Sequence, residues 1–219
     1  MSIPSRSIKT AALALLIALG ALMLASRAEA RDIKTMVVAG GCFWCIESDF
    51  ERVNGVTEVV SGYSGGSTVN PTYDTLKGSG HYEVVQITYD ADQVSYRQLL
   101  DLFFRSVDPT DAGGQFCDRG DTYRTAVFVS NTGERSTAQA AKSAAQSALG
   151  QTIVTPIINA APFYEAEDYH QNYYKSSERV ITRRGIKTKA DAYKFYRDAC
   201  GRDQRVRQLW GANAPFINH

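Results

Sequence analysis

The sequence is poor in the features that mark a nucleic-acid binder, a membrane span or a metal protein. Its 24 Lys and Arg face 23 Asp and Glu over 219 residues, a formal charge of +1, so no basic field is available to hold phosphate backbones or anionic lipid. A bilayer span takes about 20 apolar residues, and the longest uncharged apolar run, Ala11 to Ala25, falls short of that. The four cysteines form one CxxC pair and two isolated residues with no His pair nearby, so a zinc finger or ribbon lacks its second pair of ligands and no metal is expected. No internal repeat, low-complexity tract or linker divides the chain.

The short apolar run has the flanks of an export signal. Arg6 and Lys9 precede it and "AEA" at Ala28 to Ala30 follows it, a cationic lead and a small-x-small cleavage pattern. Residues 1–30 are therefore expected to be removed after Ala30, leaving residues 31–219 as one exported domain, periplasmic in a bacterium. No stable membrane contact is expected after cleavage, and no cysteine lies near the cut to carry a lipid. An exported domain with four cysteines would ordinarily staple itself with disulfides, in any of three pairings.

Periodicity predicts a buried strand over Thr35 to Ala39, a glycine pair, and a helix carrying Phe43, Ile46, Phe50 and Val53 on one face. Further strands are expected at Tyr82 to Asp90, Tyr123 to Ser130 and in "TIVTPII". Helices are expected in "SYRQLLDLFFRSV", opened by a Ser95/Gln98 capping box, in "NTGERSTAQAAKSAAQSAL", and as a short one in "EAEDYHQNYY". The fold class is α/β (α+β), a mixed sheet flanked by helices. Long glycine-rich gaps, around Gly62 to Gly80 and Gly113 to Gly120, are where sites are usually built.

"GGCFWCIE" places Cys42 at the start of the first helix, where unpaired N–H groups and the dipole lower a thiol pKa and make a nucleophile. Cys45 completes a CxxC redox pair, and Phe43 and Trp44 can wall an apolar pocket. In the other loops Glu83 opens an otherwise apolar strand after Tyr73, Asp118 and Tyr123 sit at the entry to the next strand, and Tyr164, Glu165, His170 and Tyr173 gather in one segment. The plain alternative is that these carboxylates are solvated and the tyrosines fill the core.

"GGCFWCIE", "SGYSGG", "NPTYDTL", "GHYEVV", "VDPTDAGGQF", "DRGDTYRTAVF", "TPI" and "AEDYHQNYY", in that order, resemble the MsrA-type peptide methionine sulfoxide reductases. The resemblance implies an MsrA-like two-layer sandwich with Cys42 as nucleophile and Phe43 and Trp44 around the substrate's S-methyl group. It implies that Glu83 protonates the sulfoxide oxygen, while Tyr73, Asp118 and Tyr123 hold that oxygen. It further implies methionine S-sulfoxide, free or in oxidised proteins, as substrate, no bound cofactor, and an external thioredoxin-like dithiol as reductant and partner.

The sequence departs from the family at Cys45, where Gly is common, and at Thr122, where Gln is common. Three cysteines can resolve a sulfenic acid on Cys42: Cys200 in a tail that Gly201 would let swing, Cys45 one helical turn away, and Cys117 in its loop. Cys200 is expected to attack first. The rival readings are an exported thioredoxin-like thiol-disulfide oxidoreductase using Cys42 and Cys45, which leaves Glu83 and Tyr123 without a role, and a disulfide-stapled binding domain.

Overall fold

The computed structural model describes residues 31–217. The expected signal segment and its cleavage point after Ala30 lie outside the described residues.

Six strands form one mixed sheet in the order β7-β6-β1-β3-β2-β8: β1 (Ile33–Gly40), β2 (Val56–Ser64), β3 (Tyr82–Asp90), β6 (Thr125–Val129), β7 (Ile157–Asn159) and β8 (Tyr164–Glu165). Only β6 and β7 pair in parallel; β1 runs antiparallel to both of its neighbours, β3 and β6. Alternation along the strands divides the residues between two faces. Val38, Val85 and Val127 join the main core with α1 (Phe43–Phe50), α2 (Tyr96–Ser106) and α3 (Thr132–Leu149), whereas Ala39, Val84, Ala126 and Phe128 form a small cluster on the other side. Helices thus cover chiefly one face, the expected two layers.

Local chemistry accounts for the helix ends. Ser95 Oγ accepts from Gln98 N while Gln98 Oε1 accepts from Ser95 N at 2.9 Å, the predicted capping box. Asn131 caps α3 through the Glu134 amide at 2.9 Å, and left-handed Gly150 ends it.

Three expectations change. "EAEDYHQNYY" is not a helix but β8 followed by two 3₁₀ turns, Asp168–His170 and Tyr173–Lys175. Gln171 turns its amide onto both backbone groups of Ser61 (3.0 and 2.9 Å), and Asn172 takes a left-handed conformation, so the chain is stitched to β2 instead of coiling. The strand at "YRTAVFVS" begins at Thr125, because Tyr123 closes a 3₁₀ turn. "TIVTPII" contributes only Ile157 and Ile158 to β7.

The C-terminal segment is ordered as the hairpin β9 (Arg179–Thr182) and β10 (Gly185–Thr188), then α4 (Lys189–Ala199) and α5 (Arg202–Trp210). Gly201, at φ 68°, makes the corner between α4 and α5 and does not form a loose tail. Besides its predicted apolar residues α1 buries Glu47, Ser48 and Asp49: Ser61 Oγ and Asn172 N donate to Glu47 at 2.8 and 2.6 Å, and α4 reaches Asp49. Arg197 Nη1 meets Asp49 at 2.9 Å in the interior, and Arg202 donates to the Gly40 and Ser106 carbonyls at 3.3 and 2.9 Å.

Between β1 and α1 the backbone has no room for side chains. A Cβ on Gly40 would lie 2.5 Å from Ile46 Cδ1; one on Gly41, whose φ is +83°, would lie 2.5 Å from Gln115 Cβ. Gly41→Ala is therefore expected to lose about 1–3 kcal/mol through overpacking and backbone strain together. Urea unfolding measures it, and an unchanged midpoint would contradict the tight junction.

Candidate active site

Antiparallel pairing sets the end of β1 beside the starts of β3 and β6. That arrangement brings Cys42, which follows β1, to Glu83 at the opening of β3 and to Tyr123 just ahead of β6. A cavity of ≈ 190 Å³ lies there. Its walls include Cys42, Phe43, Trp44, Cys45, Tyr73, Glu83, Cys117, Asp118, Tyr123 and Cys200, which are all the residues singled out as nucleophile, acid, oxygen-holding, pocket or resolving candidates.

Glu83 is 2% exposed, and Phe43 N donates to its Oε2 at 3.0 Å. Burial raises its pKa to about 8, against the opposing effect of that hydrogen bond and with help from Asp118. It is chiefly the neutral, proton-carrying acid at pH 7. Tyr73 sits on a 3₁₀ turn (Tyr73–Thr75) whose first amide is held by Glu167 Oε1 at 2.9 Å, and its hydroxyl lies 3.4 Å from that of Tyr123. Burial raises the pKa of both tyrosines, so both remain hydroxyl donors. Asp118 is likewise raised by burial, with Arg202 opposing.

Phe43 is buried against Tyr63 and His170, at ring separations of 6.0 and 4.9 Å. Trp44 stacks flat on Tyr173 at 3.7 Å. His170, which carried no assigned role, fills the space among Phe43, Trp44, Tyr73 and Tyr169; burial lowers its pKa to about 4, leaving it neutral.

Cys42 caps α1 and is half-buried; Cys45 is buried; both are free thiols joined by a hydrogen bond. The charge distribution within the pair reverses the expectation of a lowered Cys42. The hydrogen bond with Cys45, then burial, then the negative charges of Cys45, Glu83 and Asp118 raise Cys42. The same hydrogen bond, helped by Arg202 and Arg197, lowers Cys45 to about 7. The pair therefore loses its first proton easily, and that ionisation belongs to the pair as a unit.

Cys117 occupies a two-residue turn between β4 (Gly114–Gln115) and β5 (Asp118–Arg119), and it is disulfide-bonded to Cys200 at a Cα separation of 4.9 Å. In this state Cys200 cannot attack Cys42, whose neighbouring thiol is Cys45. Cys117, Asp118 and Cys200 also group three residues of metal-ligand type within 4.8 Å, with both sulfurs consumed by the disulfide. Sequence reasoning missed Tyr193, Tyr196, Arg197 and Arg202 in the cavity wall. Nothing local distinguishes them: they are charged or aromatic residues of a helical tail.

The model of the family "Peptide methionine sulfoxide reductase" matches residues 34–204. Among curated proteins, "Peptide methionine sulfoxide reductase MsrA 2" of Rhizobium meliloti is 46% identical over 85% of this chain and 88% of its own length. "Peptide methionine sulfoxide reductase MsrA" of Bacillus subtilis is 44% identical over 84% and 98%. Among solved structures, the reduced form of Mxr1 from Saccharomyces cerevisiae is 30% identical with a TM-score of 0.61, covering 64% of this chain and 83% of that one. Methionine sulfoxide reductase A of Corynebacterium diphtheriae is 29% identical with a TM-score of 0.60, covering 66% and 75%.

With Cys117 and Cys200 bonded, only Cys42 and Cys45 contribute thiolate absorbance in the ultraviolet. A first step is expected below the ordinary thiol value of about 8.5, and Cys42→Ala should move it upward because Cys45 loses its hydrogen-bond donor. A step at or above the ordinary value in the wild type would remove the shared proton.

Proposed function

The chain belongs to the peptide methionine sulfoxide reductase family and is an MsrA-type enzyme, and from that premise we propose a mechanism in which the Cys42 thiol and the neutral Glu83 acid work as one unit. The observation that carries it is the Phe43 N–H bond to Glu83 Oε2 at 3.0 Å. It ties the acid to the first peptide group after the nucleophile. Sulfur attack expels oxygen only if a proton arrives, and a carboxyl with a pKa near 8 holds one at neutral pH.

The Cys42 thiolate attacks the sulfoxide sulfur of the S epimer with Phe43 and Trp44 around its methyl group, forming an S–S bond. Glu83 protonates the oxygen, which Tyr73, Tyr123 and Asp118 hold, and the S–O bond breaks as that oxygen leaves as water, the second proton coming from solvent. A water oxygen then bonds to Cys42 Sγ and loses a proton while the S–S pair leaves on the substrate sulfur, giving methionine and a sulfenic acid on Cys42. Negative charge held at Cys45 passes to Cys42 as the proton moves across their shared hydrogen bond. Cys45 then condenses with the sulfenic acid, forming a Cys42–Cys45 disulfide and water, and an external thioredoxin-like dithiol reduces that disulfide. Electrons come from thiols, so the cycle needs no bound cofactor. The substrates in this reading are oxidised proteins and free methionine sulfoxide. A thioredoxin-like oxidoreductase would use the same CxxC but leaves the buried acid unexplained.

Export rests on the leader: Arg6, Lys9, the Ala11 to Ala25 run and "AEA" support removal of residues 1–30 and work in an oxidising compartment, the periplasm of a bacterium. Such a compartment suits a standing Cys117–Cys200 disulfide.

Reduction of the S epimer is expected, and kcat/KM should fall as pH rises through about 8, where Glu83 loses its proton. Glu83→Gln should lower kcat/KM by roughly 10² to 10⁴ and abolish that fall; a loss under threefold would remove the acid role. After one turnover without reductant, peptide mapping should find a Cys42–Cys45 disulfide at the wild-type rate in Cys200→Ser. A Cys42–Cys200 bond in the wild type would instead make Cys200 the first to attack.

A further inference from the structure

The catalytic cavity shares wall residues with two surface grooves. Tyr73 and Tyr123 stand in the walls of both the cavity and a groove of ≈ 670 Å³ that runs past Lys77 and Arg119. Tyr196 stands in the walls of both the cavity and a groove of ≈ 440 Å³, whose other residues are Thr182, Arg183, Arg184 and Phe195. A methionine sulfoxide inside a polypeptide has chain leaving it in two directions. Each groove adjoins the cavity at a shared tyrosine, so chain on either side of the central residue would meet one of them.

The charge along these grooves is uneven. Residues 179–200 contain seven Lys and Arg and two Asp, although the whole chain is balanced. Lys189 is paired with Glu178, and Arg197 with Asp49 and Asp203. Arg183 and Arg184 form the exposed two-residue turn between β9 and β10, and among the described residues neither pairs with a carboxylate. The turn is tied down: Thr182 Oγ1 donates to Gly185 O at 2.7 Å and accepts from Arg184 N at 3.1 Å, and the Arg184 guanidinium lies 4.4 Å from the centre of the Phe195 ring. On the inner side Val180 packs with the cluster containing Tyr173 and Tyr193. Two unpaired cations are thus held on the rim of a groove with aromatic walls, next to the reaction site.

We infer that the groove between the β9–β10 turn and α4 binds the polypeptide flanking the oxidised methionine, and that Arg183 and Arg184 select acidic residues there. The inference rests on the reductase reading for the identity of the central residue. Phe195 and Tyr196, 40% and 41% exposed, supply apolar contact for the peptide backbone, and the two guanidinium groups supply the charge preference. A free amino acid does not reach this groove, so its turnover is independent of the two arginines.

The test separates binding from chemistry. Nine-residue peptides with a central methionine S-sulfoxide, flanked on one side or the other by three Asp, three Ser or three Lys, are titrated against the Cys42→Ser chain by fluorescence anisotropy. The Asp peptide of one orientation is expected to bind about twofold to thirtyfold more tightly than the Ser peptide, the range for two exposed charge pairs, with the advantage fading at high salt. Arg183→Gln with Arg184→Gln should erase the preference and leave turnover of N-acetylmethionine sulfoxide by the Cys42-containing enzyme unchanged. Equal binding of Asp and Lys peptides, or a preference that survives the double substitution, would overturn the inference. Failure of the wild type to reduce any of these compounds would count against the reductase reading, while the binding titration would still decide the role of the groove.

Discussion

The side-chain-free turn from β1 into α1 is the constraint on which the site depends. Because Gly40 and Gly41 leave no Cβ against Ile46 and Gln115, the helix can begin directly at the end of a central strand. Its first free amide then points at the opening of β3. A helix start leaves N–H groups without partners, and Glu83 accepts the one on Phe43. One hydrogen bond to a buried carboxyl does not offset the loss of water around a charge. Glu83 therefore holds its proton at neutral pH, and a junction that solves a packing problem also sets the protonation of a cavity wall beside Cys42.

A second layer of control comes from the far end of the chain. Asp49, buried in α1, meets Arg197, which also holds Asp203, while Arg202 satisfies carbonyls at Gly40 and Ser106. Removing one member of a buried ion pair typically costs about 3–5 kcal/mol because its partner is left charged in the interior. The tail helices are thereby bound to the helix that Cys42 caps. The same two arginines favour negative charge at Cys45, so docking of α4 and α5 and activation of the thiol pair share one set of charges. The Cys117–Cys200 disulfide adds a covalent tie between the loop carrying Asp118 and the corner between those helices.

Much of the site was legible because each piece has a local cause. Glycines before a cysteine, an acid at the head of an apolar strand and tyrosines at loop ends can be read from neighbouring residues, and their order along the chain carried the family resemblance. The segment "EAEDYHQNYY" misled for a physical reason: its apolar spacing suits a helix, but Gln171 gains more by bonding to Ser61 across 110 residues. The backbone at Cys200 likewise depends on packing between distant segments. Gly201 permits a flexible joint or a tight left-handed corner, and only the packing of α4 and α5 selects the corner.

By itself, the sequence determined the family, the mixed sheet flanked by helices, and the local pieces of the site, a cysteine followed by two aromatic residues and an acid heading an apolar strand, since all of these follow from residue types at short spacing. The tertiary structure alone decided that Cys200 is bonded to Cys117, where the proton of the Cys42–Cys45 pair is held, and which cations face the cavity. Those outcomes depend on distance and burial between segments up to 162 residues apart, as from Gly40 to Arg202. Electrostatic interaction acts through space, so the order of residues along the chain does not encode it.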